Sequence, residues 1–305
     1  MDQPLVSVMI ITYNQKQFIH ETLQSVLNQD YKNIEIIVAD DGSSDGTREI
    51  ILEYAEQYPT KIVSLVGGPN LGITGNSNRG LKACRGKYIA FMGGDDLFLP
   101  EKISKQVKWF EAKSDRVLCG HHIEVFYDDE RLPHLHRQYL TSGKGPKDFI
   151  RHGCPFGATS VMVRANHTPQ NGFDSSLKLV SDGFFFTETL MRGGGYGYVP
   201  GVYARYRRHN NNITLQWEKC VNDFSQVFPI IRERYPQYKR DADVGEANQI
   251  MYGYGLRSLN NGKAKRAITF FVKGIKNNPL GYKLWARLIQ AIFTLPFNKV
   301  ESTTK

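Results

Sequence analysis

The N-terminal third of this chain alternates strand and helix patterns, and few architectures accommodate that alternation. Leu5–Ile11 reads LVSVMII, a continuous apolar, β-branched run of the kind that forms a strand covered on both faces. A helical pattern follows, with Phe18, Ile19, Leu23, Val26 and Leu27 on one face. Asn14 and Gln17 have the spacing of a capping box at its start. IEIIVA (Ile34–Ala39) predicts a second buried strand, followed by a helix with Ile50, Ile51, Tyr54 and Ala55 inward. KIVSLV (Lys61–Val66), a short helix carrying Leu81, and KYIAFM (Lys87–Met92) complete the series. Such alternation predicts an α/β fold, a Rossmann-like and mostly parallel sheet flanked by helices, with right-handed crossovers.

After Trp109 the pattern changes. RVLCGHHIEVFY and ATSVMVR read as strands, separated by polar loops rich in His and Gly. From about Gln216 the chain reads as helical. Two helices joined at Asn260–Gly262 stop at Pro279, and an amphipathic, basic tail follows. The expected division is therefore an α/β domain over 1–215 and a helical C-terminal region over 216–305.

The formal net charge of +9 suggests an anionic partner, whether a phosphorylated ligand, a membrane surface or nucleic acid, with solubility alone as the alternative. Cys84, Cys119, Cys154 and Cys220 are far apart. They suggest neither a zinc cluster nor a disulfide framework, and they fit a reducing cytosol. The opening MDQP has no basic n-region, so no signal peptide is predicted. The apolar stretch near the C-terminus is interrupted by Arg287, Gln290 and Pro296, too soon to span a bilayer.

In an open α/β sheet, ligands bind beyond the carboxyl ends of the strands. The first strand ends in Thr12-Tyr13-Asn14, the second in Asp40-Asp41-Gly42-Ser43-Ser44, and the fourth in Gly93-Gly94-Asp95-Asp96. One edge thus collects carboxylates and an aromatic ring, a set suited to a hard divalent cation and a ligand rich in hydrogen-bond donors. Asp45 reads better as a cap for the helix starting near Gly46. Asp95 and Asp96 do not read as caps, because Pro100 fits the first turn of the next helix and puts the cap near Leu99.

VSVMIITYNQ, IIVADDGSSDGT, NLGITGNSNRG, GKYIAFMGGDD and SDGFFF…YRRH occur in that order. Together, from about Leu5 to Thr214, they resemble the family-2 glycosyltransferases of the GT-A fold. The resemblance implies a nucleotide-sugar donor, probed by Ile11 and by Tyr13 stacking on the base. It implies that Asp41 accepts from the imide N–H of uracil or thymine, that Asp95 faces the ribose, and that Asp96 binds Mn²⁺ or Mg²⁺. Asp182 is implied as the base of an inverting displacement, and Arg205, Arg207 and His209 as diphosphate contacts. The acceptor is implied to be a saccharide or lipid-linked saccharide of surface polysaccharide synthesis, at the inner face of the cell membrane. The chain departs from the common pattern at three places. Gly94 replaces the early acid of D-x-D, Ser77-Asn78 replaces Arg-Asn with Arg79 nearby, and Ser181 replaces Glu.

Other readings compete. A dehydrogenase would place G-x-G-x-x-G after the first strand, where this chain has Tyr13-Asn14-Gln15. A sugar nucleotidyltransferase would show a basic Gly-rich loop there. A non-catalytic sugar-nucleotide-binding or scaffold subunit is the alternative left by the missing early acid. Nucleic acid is disfavoured, since no recognised module is present. His121, His122, His134 and His136 match no zinc spacing and belong with the Gly120–Gly172 stretch expected to form the acceptor side. In the tail, Leu284, Leu288 and Ile292 recur with Trp285 and Ile289 beside them, near Lys283, Arg287 and Lys299. That stripe suits either packing on the preceding hairpin or docking on an anionic membrane interface.

Overall fold

Strand β1 (Val6–Thr12) is the axis of the sheet. It pairs in parallel with β2 (Ile34–Asp40) on one side and β4 (Tyr88–Gly93) on the other, and β2 pairs in parallel with β3 (Ile62–Leu65). The crossovers are α1 (Lys16–Leu27), α2 (Thr47–Gln57) and α3 (Gly72–Ala83). The computed structural model describes residues 3–136 and 141–295.

The second half of the sheet is mixed. It contains β5 (Leu97–Phe98), β6 (Arg116–Tyr127), β7 (His134–Leu135), β8 (Gly143–Lys144), β9 (Met162–Arg164) and β10 (Gly195–Arg208). The order is β3-β2-β1-β4-β9-β6-β10-β5, with β7 against β6 and β8 against β10. β9 is antiparallel to both β4 and β6, while β10 runs parallel to β6. The strand order turns back between β1 and β4, which makes their carboxyl ends the expected binding edge.

Both faces are covered, as the apolar runs require. Val8, Ile10, Ile36 and Val38 pack with Ile19, Leu23 and Val26 of α1 and Ile51 of α2. On the other face Met9, Ile89 and Phe91 meet Phe173, Phe185 and Phe186. The rings of Phe173 and Phe185 stack with centroids 4.1 Å apart, an arrangement that adds to their area burial.

Two local expectations need correction. Asn14 makes no capping box. Its φ is 50°, and its side-chain oxygen accepts the Ser44 amide at 3.0 Å. The start of α1 is served instead by the next loop, where Asp45 accepts the Lys16 amide at 3.0 Å and Thr47 Oγ1 accepts the Gln15 amide at 2.8 Å. Asp45 also accepts the Thr47 amide at 3.0 Å, so it serves both helix starts. The helix after the paired aspartates, α4 (Lys102–Glu111), begins beyond Pro100, because Leu97 and Phe98 first pair with β10 as an edge strand.

The chain divides into two compact units. The first runs to Phe224 apart from Ile150–Gly153, and the second takes those residues and the described chain from Ser225 onward. The first unit also contains the first half of α5 (Lys147–His152), all of α6 (Ser181–Met191) and α7 (Trp217–Ser225) up to Phe224, so it extends past residue 215. The second holds α8 (Val227–Arg234), α9 (Lys239–Gly245), a π-helical turn at Glu246–Met251, α10 (Tyr252–Asn260), α11 (Ala264–Asn277) and α12 (Tyr282–Phe293). The π turn captures the mid-chain segment. Gln249 donates to the Ile150 carbonyl at 2.9 Å, Asn248 donates to that of Arg151 at 3.2 Å, and Arg151 pairs with Asp241 at 2.5 Å.

Candidate active site

The loops after β2 and β4 both close on the end of β1. The Asp41 amide donates to the Thr12 carbonyl at 2.9 Å, and the Gly94 amide donates to the Ile11 carbonyl at 2.9 Å. Tyr13 projects beyond this junction and is 50% exposed, so its ring is free to stack on a ligand. Its loop is latched to the neighbouring one, for the Asn14 amide donates to Ser43 Oγ at 2.8 Å.

The carboxylates at this edge divide by role. Asp40 belongs to the turn, accepting the Ser43 amide at 3.0 Å and the Ser43 hydroxyl. Asp41 is buried, and one of its oxygens accepts the Leu71 amide at the start of α3 at 2.7 Å. Burial raises its pKa above the ordinary carboxylate value against the opposing pull of that amide.

Asp95 and Asp96 are held from several sides. Thr22 Oγ1 of α1 donates to the Gly94 and Asp96 carbonyls at 3.0 and 2.9 Å. The Arg207 amide donates to Asp96 Oδ1 at 3.1 Å, and Arg207 Nε donates to the Asp95 carbonyl at 2.9 Å. His209 Nε2 lies 2.9 Å from Asp95 Oδ2, with its ring against Phe18. Burial first, and the Asp95 charge second, push the Asp96 carboxyl well above its ordinary range. Gly94 has a steric reason to lack the early acid of D-x-D. A Cβ there would sit 2.7 Å from Thr12 Cβ and 2.6 Å from Thr12 Oγ1.

The basic stretch on β10 separates likewise. Arg207 is buried, its guanidinium pairs with Glu21 and Asp128, and it lies over the Phe18 and Phe126 rings. It braces the Asp95–Asp96 loop, and its fork is already taken by protein carboxylates rather than open to a diphosphate. Arg205 pairs with Glu124 at 2.5 Å. Of the three residues expected at the diphosphate, His209 alone touches the aspartate pair through its side-chain ring.

α3 joins the edge formed by β1, β2 and β4 to the segment around α6. Asn78 clamps Phe173, donating to its carbonyl at 2.8 Å and accepting its amide at 2.7 Å. Thr74 donates to the Leu177 carbonyl at 2.5 Å and to Ser181 at 2.9 Å. Ser77 bonds back to the Ile73 carbonyl, and Arg79 holds the Leu65 and Gly67 carbonyls, so neither faces a ligand. Asp182 follows Ser181 in the first turn of α6, and its Oδ1 accepts the Gly183 amide at 2.8 Å. A helix start should lower its pKa, yet burial wins and raises it. Sequence reasoning missed the support for this turn. Asp223 of α7 accepts the amides of Lys178, Leu179 and Val180 at 2.8–3.0 Å. It also missed Thr22 and Asn212, whose Oδ1 accepts the His209 amide at 2.7 Å. No short motif announces Asp223 or Thr22, because their partners lie far away in the chain.

The glycosyl transferase family 2 model matches residues 7–169, more than half of the chain. An uncharacterized glycosyltransferase of Methanocaldococcus jannaschii is 38% identical over 70% of this chain and 74% of its own length. Among solved structures, S. aureus TarS 1-349 in complex with UDP-GlcNAc superposes with a TM-score of 0.66 at 15% identity, covering 95% of this chain and 89% of that one. The mannosyltransferase PcManGT from Pyrobaculum calidifontis, in complex with GDP-Man and Mn²⁺, gives a TM-score of 0.61 at 18% identity over 98% of this chain and 89% of that one. At such identities the two structures speak for the fold, a central, mostly parallel sheet flanked by helices. With the family match, the order of motifs along the edge of β1, β2 and β4 is accounted for, and the chain belongs to glycosyl transferase family 2.

Proposed function

We propose that this glycosyltransferase is metal-dependent and inverting, and moves a sugar from a uridine diphosphate sugar to a hydroxyl of a saccharide or lipid-linked saccharide. The pathway proposed is surface polysaccharide synthesis, at the inner face of the cell membrane. The carrying observation is the grouping of Asp41, Asp95 and Asp96 at one sheet edge beside an exposed Tyr13. Nucleotide-sugar complexes of proteins with this fold support the donor class.

Tyr13 and Ile11 would flank the base, Asp41 would accept its imide N–H, and Asp95 would meet the ribose. Asp96 is suited to a divalent ion. It is a buried hard-oxygen donor beside a second carboxylate, and the burial and Asp95 repulsion that raise its pKa are what a cation would offset. Among the described residues no three His, Cys, Asp or Glu side chains converge as a metal site. That fits Mg²⁺ or Mn²⁺, which take their remaining ligands from water and substrate phosphates. When bound, such an ion offsets the charge growing on the departing diphosphate.

Asp182 would accept the proton of the acceptor hydroxyl as the sugar passes across. Its raised pKa brings it closer to the operating pH, where a general base is most effective. Titration calorimetry with UDP, GDP and TDP, with and without Mn²⁺, tests the donor reading. UDP should bind more tightly with Mn²⁺, and Asp96→Asn should lose that gain. Equal binding of all three nucleotides, or no effect of Mn²⁺, would sink it. Release of free UDP in the presence of acceptor separates the enzyme from a scaffold subunit.

A further inference from the structure

We propose that the outer face of α11 and α12 is a docking surface for an anionic lipid bilayer. The inference deepens the lipid-linked acceptor reading and rests on it for its purpose. The sequence stripe on α12 splits in two. Leu284, Leu288 and Ala291 pack into the helical core, where Gly274 admits α12 so closely that a Cβ there would meet Leu284 at 2.8 Å. Trp285, Ile289, Ile292 and Phe293 form a second stripe that is left 46%, 52%, 49% and 75% exposed. Tyr282 and Leu280 lengthen it at 74% and 90%. Trp285 Nε1 donates to the Pro279 carbonyl at 2.8 Å, so the indole has its polar group satisfied within the protein. A solvated helix has no use for such a stripe.

Charge selects the occupant. Between Ala247 and Leu295 the sequence carries eight Lys or Arg and no Asp or Glu, against +9 for the whole chain. Six of the eight lie on α11 and α12, and two of these, Lys283 and Arg287, are on the helix that exposes the apolar stripe. Lys265, Lys273 and Lys276 of α11 and Lys283 of α12 are exposed. An apolar aromatic stripe with basic surroundings is the make-up of a helix that lies in a lipid interface and draws anionic headgroups. No described helix is long and apolar enough to cross a membrane, so the contact is peripheral. Lys299, at the end of the tail, lies outside the described residues.

The test is flotation of the full chain with phosphatidylcholine vesicles, with and without about one-third phosphatidylglycerol, at low and high salt. Binding should require the anionic lipid and weaken as salt shortens the Debye length. Lys273→Gln with Lys276→Gln should weaken it by roughly an order of magnitude or more. Trp285→Ser with Ile289→Ser and Phe293→Ser should abolish it while unfolding temperature and UDP affinity stay at wild-type values. If the serine variant fails to fold, the charge variant, whose side chains are exposed, decides alone. Indifference of the full chain to anionic vesicles overturns the inference. So does a dimer in solution that the serine substitutions convert to a monomer, since the stripe would then be a contact between two copies. UDP binding without vesicle binding fails the docking alone, and vesicle binding without UDP binding fails the donor reading alone.

Discussion

Replacing Lys102 with methionine should stabilise the protein at neutral pH and reverse its effect in alkali. Lys102 opens α4 with no exposed surface. Its Nζ donates to Gln106 Oε1 at 2.7 Å and stands 4.2 Å from the centre of the Phe98 ring. Its other polar neighbours are Cys119, with a thiol pushed up to about 12, and His121, whose imidazole is held well below its ordinary range. None of these is a carboxylate, so burial depresses the lysine from 10.5 to about 7. At ~1.4 kcal/mol per unit, protonation withholds about 5 kcal/mol from folding below pH 7. The unfolded chain keeps this proton up to about pH 10.5 and the folded chain loses it above about 7. Stability therefore rises with pH across that window and is lost as pH falls through it. Methionine keeps the unbranched chain but leaves Gln106 Oε1 without its donor, a loss of about 1–3 kcal/mol. The net gain at pH 7 is then about 2–4 kcal/mol, and it vanishes or changes sign near pH 10. Urea unfolding of both proteins from pH 7 to 10 measures the difference directly, with the m-value as a check on the denatured state. A variant less stable than wild type at pH 7, or a difference that does not change with pH, refutes the reasoning.

Asp182→Asn should leave UDP affinity intact while sugar transfer falls by about 10²–10⁴-fold, which turnover assays with a saccharide acceptor would read. In the wild type, transfer should decline as pH drops through a value above the ordinary carboxylate range, because burial raises this pKa and the base must be ionised. Gly94→Asp, which writes D-x-D into the loop, should cost about 1–3 kcal/mol in chemical unfolding through its clash with Thr12. Tighter Mn²⁺ binding by that variant would contradict the steric account. Asp41→Asn should weaken UDP binding and narrow the preference over GDP, and calorimetry showing no change would remove Asp41 from the base site.

Much of the first unit is legible in the sequence, because β1, β2 and β4 are buried on both faces and so appear as unbroken apolar runs. The edge at Tyr13, Asp41 and Asp95–Asp96 follows from where those runs end. Arg207 was not legible. Its place in a basic cluster suggests a phosphate contact, whereas Glu21 and Asp128, remote in sequence, turn it into a brace. The start of α1 misleads for a related reason. Asn14 and Gln17 have the right local spacing, but Asp45 arrives from the next crossover and takes the role. On α12 the apolar positions are plain, yet only the packing of Leu284, Leu288 and Ala291 shows that one helix carries two stripes.

The capture of Ile150–Gly153 by the π-helical turn bears on the order in which the protein is born. These residues leave the ribosome roughly a hundred positions before Asn248 and Gln249, which hold their carbonyls. At about 5–20 residues per second, they wait for some 5–20 s without partners. The first unit can close around its sheet in that time, but the stretch between Phe149 and Cys154 cannot finish. A ribosome stalled after the last strand would hold Ile150–Gly153 without their partners, and a trypsin pulse on such chains should cut at Arg151 until the C-terminal helices emerge.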